Sequence, residues 1–235
     1  MASRDIIVGI DVGSTSVRTV IAQIFPEEEK PRIIGVGIAP SSGVRKGVIV
    51  DLEDATKSIN DSVEQAERTA GVSVDRATIS IGGSHIVSQS SKGVIAVGRA
   101  DGEVTEDDIE RVINAAQAIS IPANKEIIHI IPKNYSLDDN KDIRDPLGMN
   151  GVRLEVDAMI VEGSTPFIKN LTKCVEQSGI EVSEFVLAPL AASKATLTKR
   201  QKELGVVLVD IGGGTTSVAV FEENDLLHTN ILPIG

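Results

Sequence analysis

Two short segments, far apart in the chain, carry the residue types that handle a phosphate. Val8 to Val17 reads VGIDVGSTSV and Val207 to Val218 reads VLVDIGGGTTSV. In each, an apolar run delivers an aspartate, Asp11 or Asp210, into a glycine-rich turn. Gly13, Ser14 and Thr15 follow the first aspartate, Gly212, Gly213, Gly214 and Thr215 the second, and an apolar run then leaves. Between its aspartate and the returning valine the second copy holds two more residues, which assigns it the longer turn. Glycines admit positive φ and let backbone N–H groups approach a bulky anion with no Cβ in the way. Ser14, Thr15, Thr215 and Thr216 add hydroxyl donors. A carboxylate beside a phosphate repels it unless a cation lies between. Mg²⁺, which keeps several of its waters when bound, would let Asp11 and Asp210 grip those waters. Facing each other, two such bends would clamp the terminal phosphates of a nucleotide from both sides.

One such bend alone is as readily an ordinary hairpin turn. Two matched copies, each after an apolar strand, argue for a paired site. The turns are not Walker loops, since no Gly-Lys-Ser/Thr occurs, and the absence of GxGxxG removes a Rossmann dehydrogenase. Composition narrows the field further. A net charge of −11 and an aromatic content of 2%, with no Trp, one Tyr and four Phe, leave neither a basic surface nor a stacking platform, so nucleic acid is excluded as a partner. Hydrophobic residues at 41% of 235 supply an aliphatic core. Cys174 is the single cysteine and reads as core filler rather than a reactive thiol. His85, His129 and His228 are scattered, with no metal-ligand spacing. The start, MASRDIIVGIDVGS, has no signal-peptide pattern, and no apolar run reaches the length of a membrane span, so a cytoplasmic protein is expected.

The elements that must position the two bends follow from periodicity. Strands are expected over residues 5–11, 16–25, 32–39 and 76–81. A helix is expected over 52–70, with Asp51 as N-cap, Leu52, Ala55, Ile59, Val63 and Ala66 as its stripe, and Gly71 as its stop. From Gly83 to Glu162 the pattern changes to a strand-rich module, read as an insertion. It holds strands over 85–98, 126–131, 135–137 and 156–161, a helix begun by Thr105 with Asp108 three residues on, and a loop over 138–151. The helix–strand rhythm then returns, with a helix capped by Ser164 and ending at Gly179, a strand over 184–188, a small-residue helix over 189–198, and the buried strand GVVLVD over 205–210.

The paired bends resemble the phosphate-1 and phosphate-2 motifs of the superfamily of actin, sugar kinases and heat-shock chaperone ATPases. GIDVGSTSVRTVIA (Gly9 to Ala22) is similar to the first and VDIGGGTTSVAVF (Val209 to Phe221) to the second, while LAPLAASKA (Leu187 to Ala195) resembles the connecting helix. Within that superfamily the chain is similar over nearly its whole length to the FtsA family of bacterial cell-division proteins. The segments that carry this include SGVRKGVIVDLEDA (Ser42 to Ala55), ISIGGSHIVSQSSKG (Ile79 to Gly93), DPLGMNGVRLEVD (Asp145 to Asp157) and LTKRQKELGVVLVDIGGGT (Leu197 to Thr215).

The resemblance implies an α/β fold, an actin-like, ribonuclease-H-like lobe over residues 1–82 and 163–204. It also implies an inserted small α+β subdomain over 83–162 and the first strands of a second lobe over 205–235. It implies ATP with Mg²⁺ as ligand, held by Asp11, Gly13, Ser14 and Thr15 in one loop and Asp210, Gly212, Gly213, Gly214 and Thr215 in the other, with Asp11 and Asp210 on the metal through water. Family members assemble into filaments, tether the tubulin-like ring protein FtsZ to the inner face of the cell membrane at the division site, and recruit later division proteins. By the same likeness, the rest of the second lobe, its adenosine-binding glycines, the FtsZ-binding face and a C-terminal amphipathic membrane helix are expected beyond Gly235. Where chaperones and actin place a Glu or Gln near the attacking water, this chain aligns Ala188, which implies slow ATP hydrolysis or none. Two other readings within the superfamily are a pilus-assembly protein and a small-metabolite kinase. A kinase needs a catalytic aspartate in the cleft, and no spare acid stands in a motif-like context between Gly163 and Leu204.

Overall fold

Short β-branched runs joined by glycine turns fold as hairpins, because each strand has an immediate antiparallel neighbour to satisfy its backbone groups. In the computed structural model, which describes residues 6–28, 30–118 and 121–235, the chain opens with a meander of β1 (Ile6–Val12), β2 (Ser16–Gln23) and β3 (Arg32–Pro40). Asp5, expected at the head of the first strand, lies outside the described residues. A small hairpin of β4 (Val44–Arg45) and β5 (Val48–Ile49) follows, turning on Lys46 and Gly47 at φ 53° and 72°. Helix α1 (Leu52–Ala70) then packs back over β2 and β3, and β6 (Arg76–Ile81) runs parallel to β1.

The segment that follows builds its own sheet from β7 (Val87–Ala96), β8 (Lys125–Leu137), β9 (Asn140–Ile143) and β10 (Arg153–Ser164), with α2 (Glu106–Ala116) across it, in the order β7-β10-β8-β9. After it come α3 (Thr165–Gln177), β11 (Glu181–Leu187), α4 (Ala188–Thr196) and α5 (Lys199–Leu204). β11 completes the first sheet, ordered β11-β6-β1-β2-β3. A last meander of β12 (Val206–Ile211), β13 (Thr216–Glu222) and β14 (Asp225–Leu232) forms a third sheet, in which β12, expected to be buried, is an edge strand with Val207, Val209 and Ile211 exposed on one face.

Local chemistry explains the element ends. Asp51 accepts the Asp54 N–H and Gly71 closes α1 in the left-handed region at φ 68°, as the residue types require. Thr105 and Asp108 form a reciprocal capping box at α2 despite the shorter acid. Ser164 does not cap α3 with its side chain. Its N–H is taken by His85, the Thr165 N–H goes to the Asn124 carbonyl, and Pro166 has none to offer, so the first turn makes little demand on a cap. The loop expected over 138–151 contains β9, which pairs with β8 at Tyr135–Ile143 and Leu137–Asn140. The two expected strands around Pro132 are a single strand, because a bulge at Pro132–Lys133 absorbs the missing N–H. Thr198 ends no long helix. With Gln201 it makes a second capping box that starts α5.

The burial pattern of β10 shows how the inserted segment is rooted. From Arg153 to Ala158 it alternates, with Leu154, Val156 and Ala158 facing the segment's own core of Val104, Val112, Tyr135 and Leu137. From Met159 onward every residue to Gly163 is buried, and Met159 and Val161 join the main core with Ile10, Ile21, Ile59 and Ile79. Ile79, Ile81 and Ile86 are buried in the main core.

Helix α1 approaches β3 closely enough to need glycine. A Cβ on Gly37 would stand 1.8 Å from the Ser62 carbonyl oxygen. The Ser62 hydroxyl is buried there, donating to the Gly37 carbonyl at 3.1 Å and sharing a hydrogen bond with Thr19 Oγ1 at 2.9 Å. Gly37→Ala is therefore expected to lower the unfolding free energy by about 1–3 kcal/mol through overpacking. Gly9→Ala, whose Cβ meets nothing within 4 Å, should leave it within about 0.5 kcal/mol. Urea denaturation of the two variants checks this.

Candidate functional site

The first sheet sets the location. β1, β6 and β11 are mutually parallel, so their carboxyl ends, at Val12, Ile81 and Leu187, emerge on one side. Open α/β sheets offer their ligand crevice outside such strand ends. Here an open cavity of about 130 Å³ lies there, and the third sheet supplies its opposite wall.

Both acid-and-glycine bends line that cavity. All nine singled-out residues are in its wall: Asp11, Gly13, Ser14 and Thr15 from one turn, Asp210, Gly212, Gly213, Gly214 and Thr215 from the other. The two turns are built alike. Gly13 N–H donates to the Ser16 carbonyl at 3.2 Å and Gly212 N–H to the Thr215 carbonyl at 2.9 Å. The last paired residues are Val12 with Val17 and Ile211 with Thr216. Each turn thus holds four residues, and the second is no longer than the first. The two extra residues, Thr216 and Ser217, belong to the β13 ladder.

The bends abut. A Cβ on Gly213 would fall 1.9 Å from Thr15 Oγ1, and one on Gly214 would lie 3.1 Å from Ser14 Oγ. Ser14 Oγ also accepts the Gly47 N–H at 3.1 Å, and the Ser41 N–H donates to the Thr15 carbonyl at 3.0 Å. The β4–β5 hairpin thereby buttresses the first turn. Gly47 rests against Gly83, where a Cβ on Gly47 would come within 2.7 Å of the Gly83 Cα.

Several lining residues escape sequence reasoning. Gly47, Ser80, Gly82 and Gly83 enter through the strand ends and the small hairpin. Arg18 enters because it is the cross-strand partner of Asp11, and its guanidinium reaches that carboxylate at 3.5 Å. Writing out the hairpin register from Gly13 would have placed it there. Ser16 lines the cavity too, and its buried hydroxyl has no hydrogen-bond partner among the described residues. Ala188, the first residue of α4, also lines the cavity, with a methyl as its side chain.

Residues 83–162 match the model of the SHS2 domain inserted in FtsA. Over the whole chain, the cell division protein FtsA of Borreliella burgdorferi is 40% identical across 233 residues, 99% of this chain and 56% of that protein. FtsA of Bacillus subtilis is 39% identical across 235 residues, 100% of this chain and 53% of that protein. The chain belongs to the FtsA family. It spans about half the length of the curated relatives it matches. Among solved structures, the PilM–PilN type IV pilus biogenesis complex superposes with a TM-score of 0.66 at 12% identity, covering 97% of this chain and 61% of that one. At that identity the likeness is one of fold. The FtsA-family fold here is an actin-like α/β lobe interrupted by a small α+β insertion and followed by the opening strands of a second lobe. Among the described residues no helix is long and apolar enough to cross a membrane.

Two histidines pin the FtsA-type insertion to the lobe that carries it. His85 Nδ1 accepts the Ser164 N–H at 3.3 Å and its ring tilts against Phe167, with centroids 5.1 Å apart. His129 Nε2 accepts the Leu187 N–H at 3.0 Å, one residue before Ala188. Burial pushes both imidazoles below their ordinary range, against a hydrogen bond to the Gly82 backbone at His85 and the Glu184 carboxylate at His129. A histidine with a depressed native pKa stabilises the fold above its unfolded value of about 6.5 and loses that contribution as pH falls below it. The urea midpoint is accordingly expected to drop between pH 7.5 and 5. A His85→Gln/His129→Gln double variant, which keeps an acceptor but not the titration, should flatten that slope.

Proposed function

We propose that the cavity binds the phosphates of ATP with Mg²⁺, and that the protein acts in bacterial cell division as an ATP-binding, actin-like scaffold. The observation that supports this reading is the convergence of two like-built acid-and-glycine turns on one crevice at the ends of three parallel strands. The residues present fit such a ligand. Each first glycine N–H closes its turn, and the residues at the tips, Ser14, Thr15, Gly213 and Gly214, bring further backbone N–H groups to the cavity wall, as an anion site requires. The partnerless Ser16 hydroxyl and the hydroxyls of Ser14, Thr15 and Thr215 add donors. Arg18 supplies positive charge within the wall. Mg²⁺, when bound, neutralises phosphate oxygens, and Asp11 and Asp210 hold it through its waters.

In this reading residues 1–82 and 163–204 form the first lobe, 83–162 the inserted module and 205–235 the first strands of the second. Asp11 and Asp210 are the only carboxylates among the described residues lining the cavity, and Ala188 offers no atom to orient an attacking water. Turnover is therefore slow, and ATP serves as a ligand of assembly and not as a fuel. By family likeness the protein self-associates into filaments, links the FtsZ ring to the inner membrane and recruits later division proteins. The kinase reading finds no support, because no further acid stands over the cavity.

Titration calorimetry with ATP, with and without Mg²⁺, tests the ligand. Wild type should bind more tightly with the metal. Asp11→Asn/Asp210→Asn should erase that metal effect, and Gly213→Val should weaken binding at least tenfold, by about 1.4 kcal/mol or more, by filling the crevice. Binding that is indifferent to all three changes would remove the site from this crevice. Co-sedimentation with FtsZ, with and without ATP, tests the scaffold role, and a protein that never pellets with FtsZ fails it.

A further inference from the structure

Strand β8 of the inserted segment makes contacts that its own sheet does not require. It carries two bulges against β10, one at Ile128 and one at Lys133, and a bulge re-aims the side chains beside it. Next to the first, His129 takes the Leu187 N–H at 3.0 Å, at the start of the helix that brings Ala188 to the cavity. At the second, Lys133 Nζ donates to the Leu227 carbonyl of β14 at 3.0 Å. From the neighbouring end of the same sheet, Ser88 Oγ donates to the Thr229 carbonyl at 3.1 Å. Among the described residues β14 pairs only with β13, so its outer edge presents carbonyls two residues apart that need donors. An exposed ion pair, Arg144 to Glu223 at 3.2 Å, continues this line of contacts onto the β13–β14 turn. A segment entered from β6 of the first sheet and left through α3 therefore grips the third sheet, the one that carries the Asp210 turn.

We infer that the inserted module is a brace which holds the two walls of the phosphate cavity together, so that ligand occupancy and the module's grip on β14 strengthen each other. The inference rests on the reading of the cavity as a nucleotide site. Two arrangements are involved. In one, the glycine turns abut and the Lys133 and Ser88 contacts are made. In the other, the sheets part and both are lost. A ligand that takes donors from both turns favours the first arrangement, and so do the brace contacts. By linkage each must then raise the other's occupancy by the same factor.

The test uses MgATP and the purified protein. Lys133→Met with Ser88→Ala removes the two donors to β14 and touches no cavity residue, and the affinity for MgATP is expected to fall about three- to tenfold. In wild type, acylation of the Lys133 amine by a succinimidyl ester, followed by peptide mass spectrometry, should slow in MgATP by a similar factor. An affinity within about twofold of wild type, or a Lys133 labelling rate that the ligand leaves unchanged, overturns the brace while leaving the ligand assignment standing. Wild-type protein that binds no MgATP overturns the reading of the cavity and the brace with it.

Discussion

The constraint on which the crevice depends is the meeting of two turns that have no side chains to keep them apart. Gly213 stands where a single added carbon would lie 1.9 Å from Thr15 Oγ1, and Gly47 and Gly83 meet with the same economy on the near side. That spacing fixes the distance between the first and third sheets. It also explains why both turns have four residues and the same closing hydrogen bond, since unequal turns would not bring tip to tip with both aspartates just behind. Gly213 or Gly214 with a side chain would separate the walls, and Asp11 and Asp210 would then front different patches of solvent instead of one crevice.

The inserted segment depends on the same frame. Its β10 begins as a half-buried strand of a small separate sheet and ends as a strand with both faces covered, so its last turn of sequence is shared with the main core. Glu162, buried at that junction, is held by Gln89 from β7 and by Lys125 at 3.5 Å from β8. A buried carboxylate left without such partners would be costly, which makes this corner intolerant of slippage between insertion and host. The insertion is accordingly rooted by core packing, by paired charges and by two histidine acceptors, and it is not merely tethered at its ends.

Much of this was legible in the sequence because local rules agreed with the fold. Asp51 and Gly71 bound α1, Thr105 and Asp108 began α2, and the change of pattern near Gly83 marked a sheet of its own. What escaped was set by register, which a linear reading does not count. Pro132 looked like a strand break until a bulge accommodated it, Ser164 looked like a cap until its neighbours supplied other partners, and β9 sat inside a stretch whose glycine and proline read as loop. Thr198 and Gln201 carry a capping signature in the sequence itself, and it starts α5. Register also keeps the second turn no longer than the first, because Thr216 and Ser217 are paired in β13. Arg18 was invisible for the converse reason: only the pairing of β1 with β2 sets it opposite Asp11.

The placement of charge in the cavity favours a ligand that holds the walls together over one that is consumed. On the proposed reading two carboxylates would face the phosphates, so phosphate would enter only in company with a cation, while the Arg18 guanidinium offsets the charge of Asp11. Donors divide between two sheets, with Ser14, Thr15 and Ser16 on one side and Gly213, Gly214 and Thr215 on the other. A ligand bound across that division loses about half its donors when the sheets separate, and its differential affinity for the closed arrangement is what it can contribute to holding them. Efficient hydrolysis would require a further group to orient water, and the residue at that corner is Ala188. The chemistry of the crevice is thus suited to a lasting grip. If the proposed ligand is retained, it would keep the two walls, and the inserted module that touches both, in one arrangement.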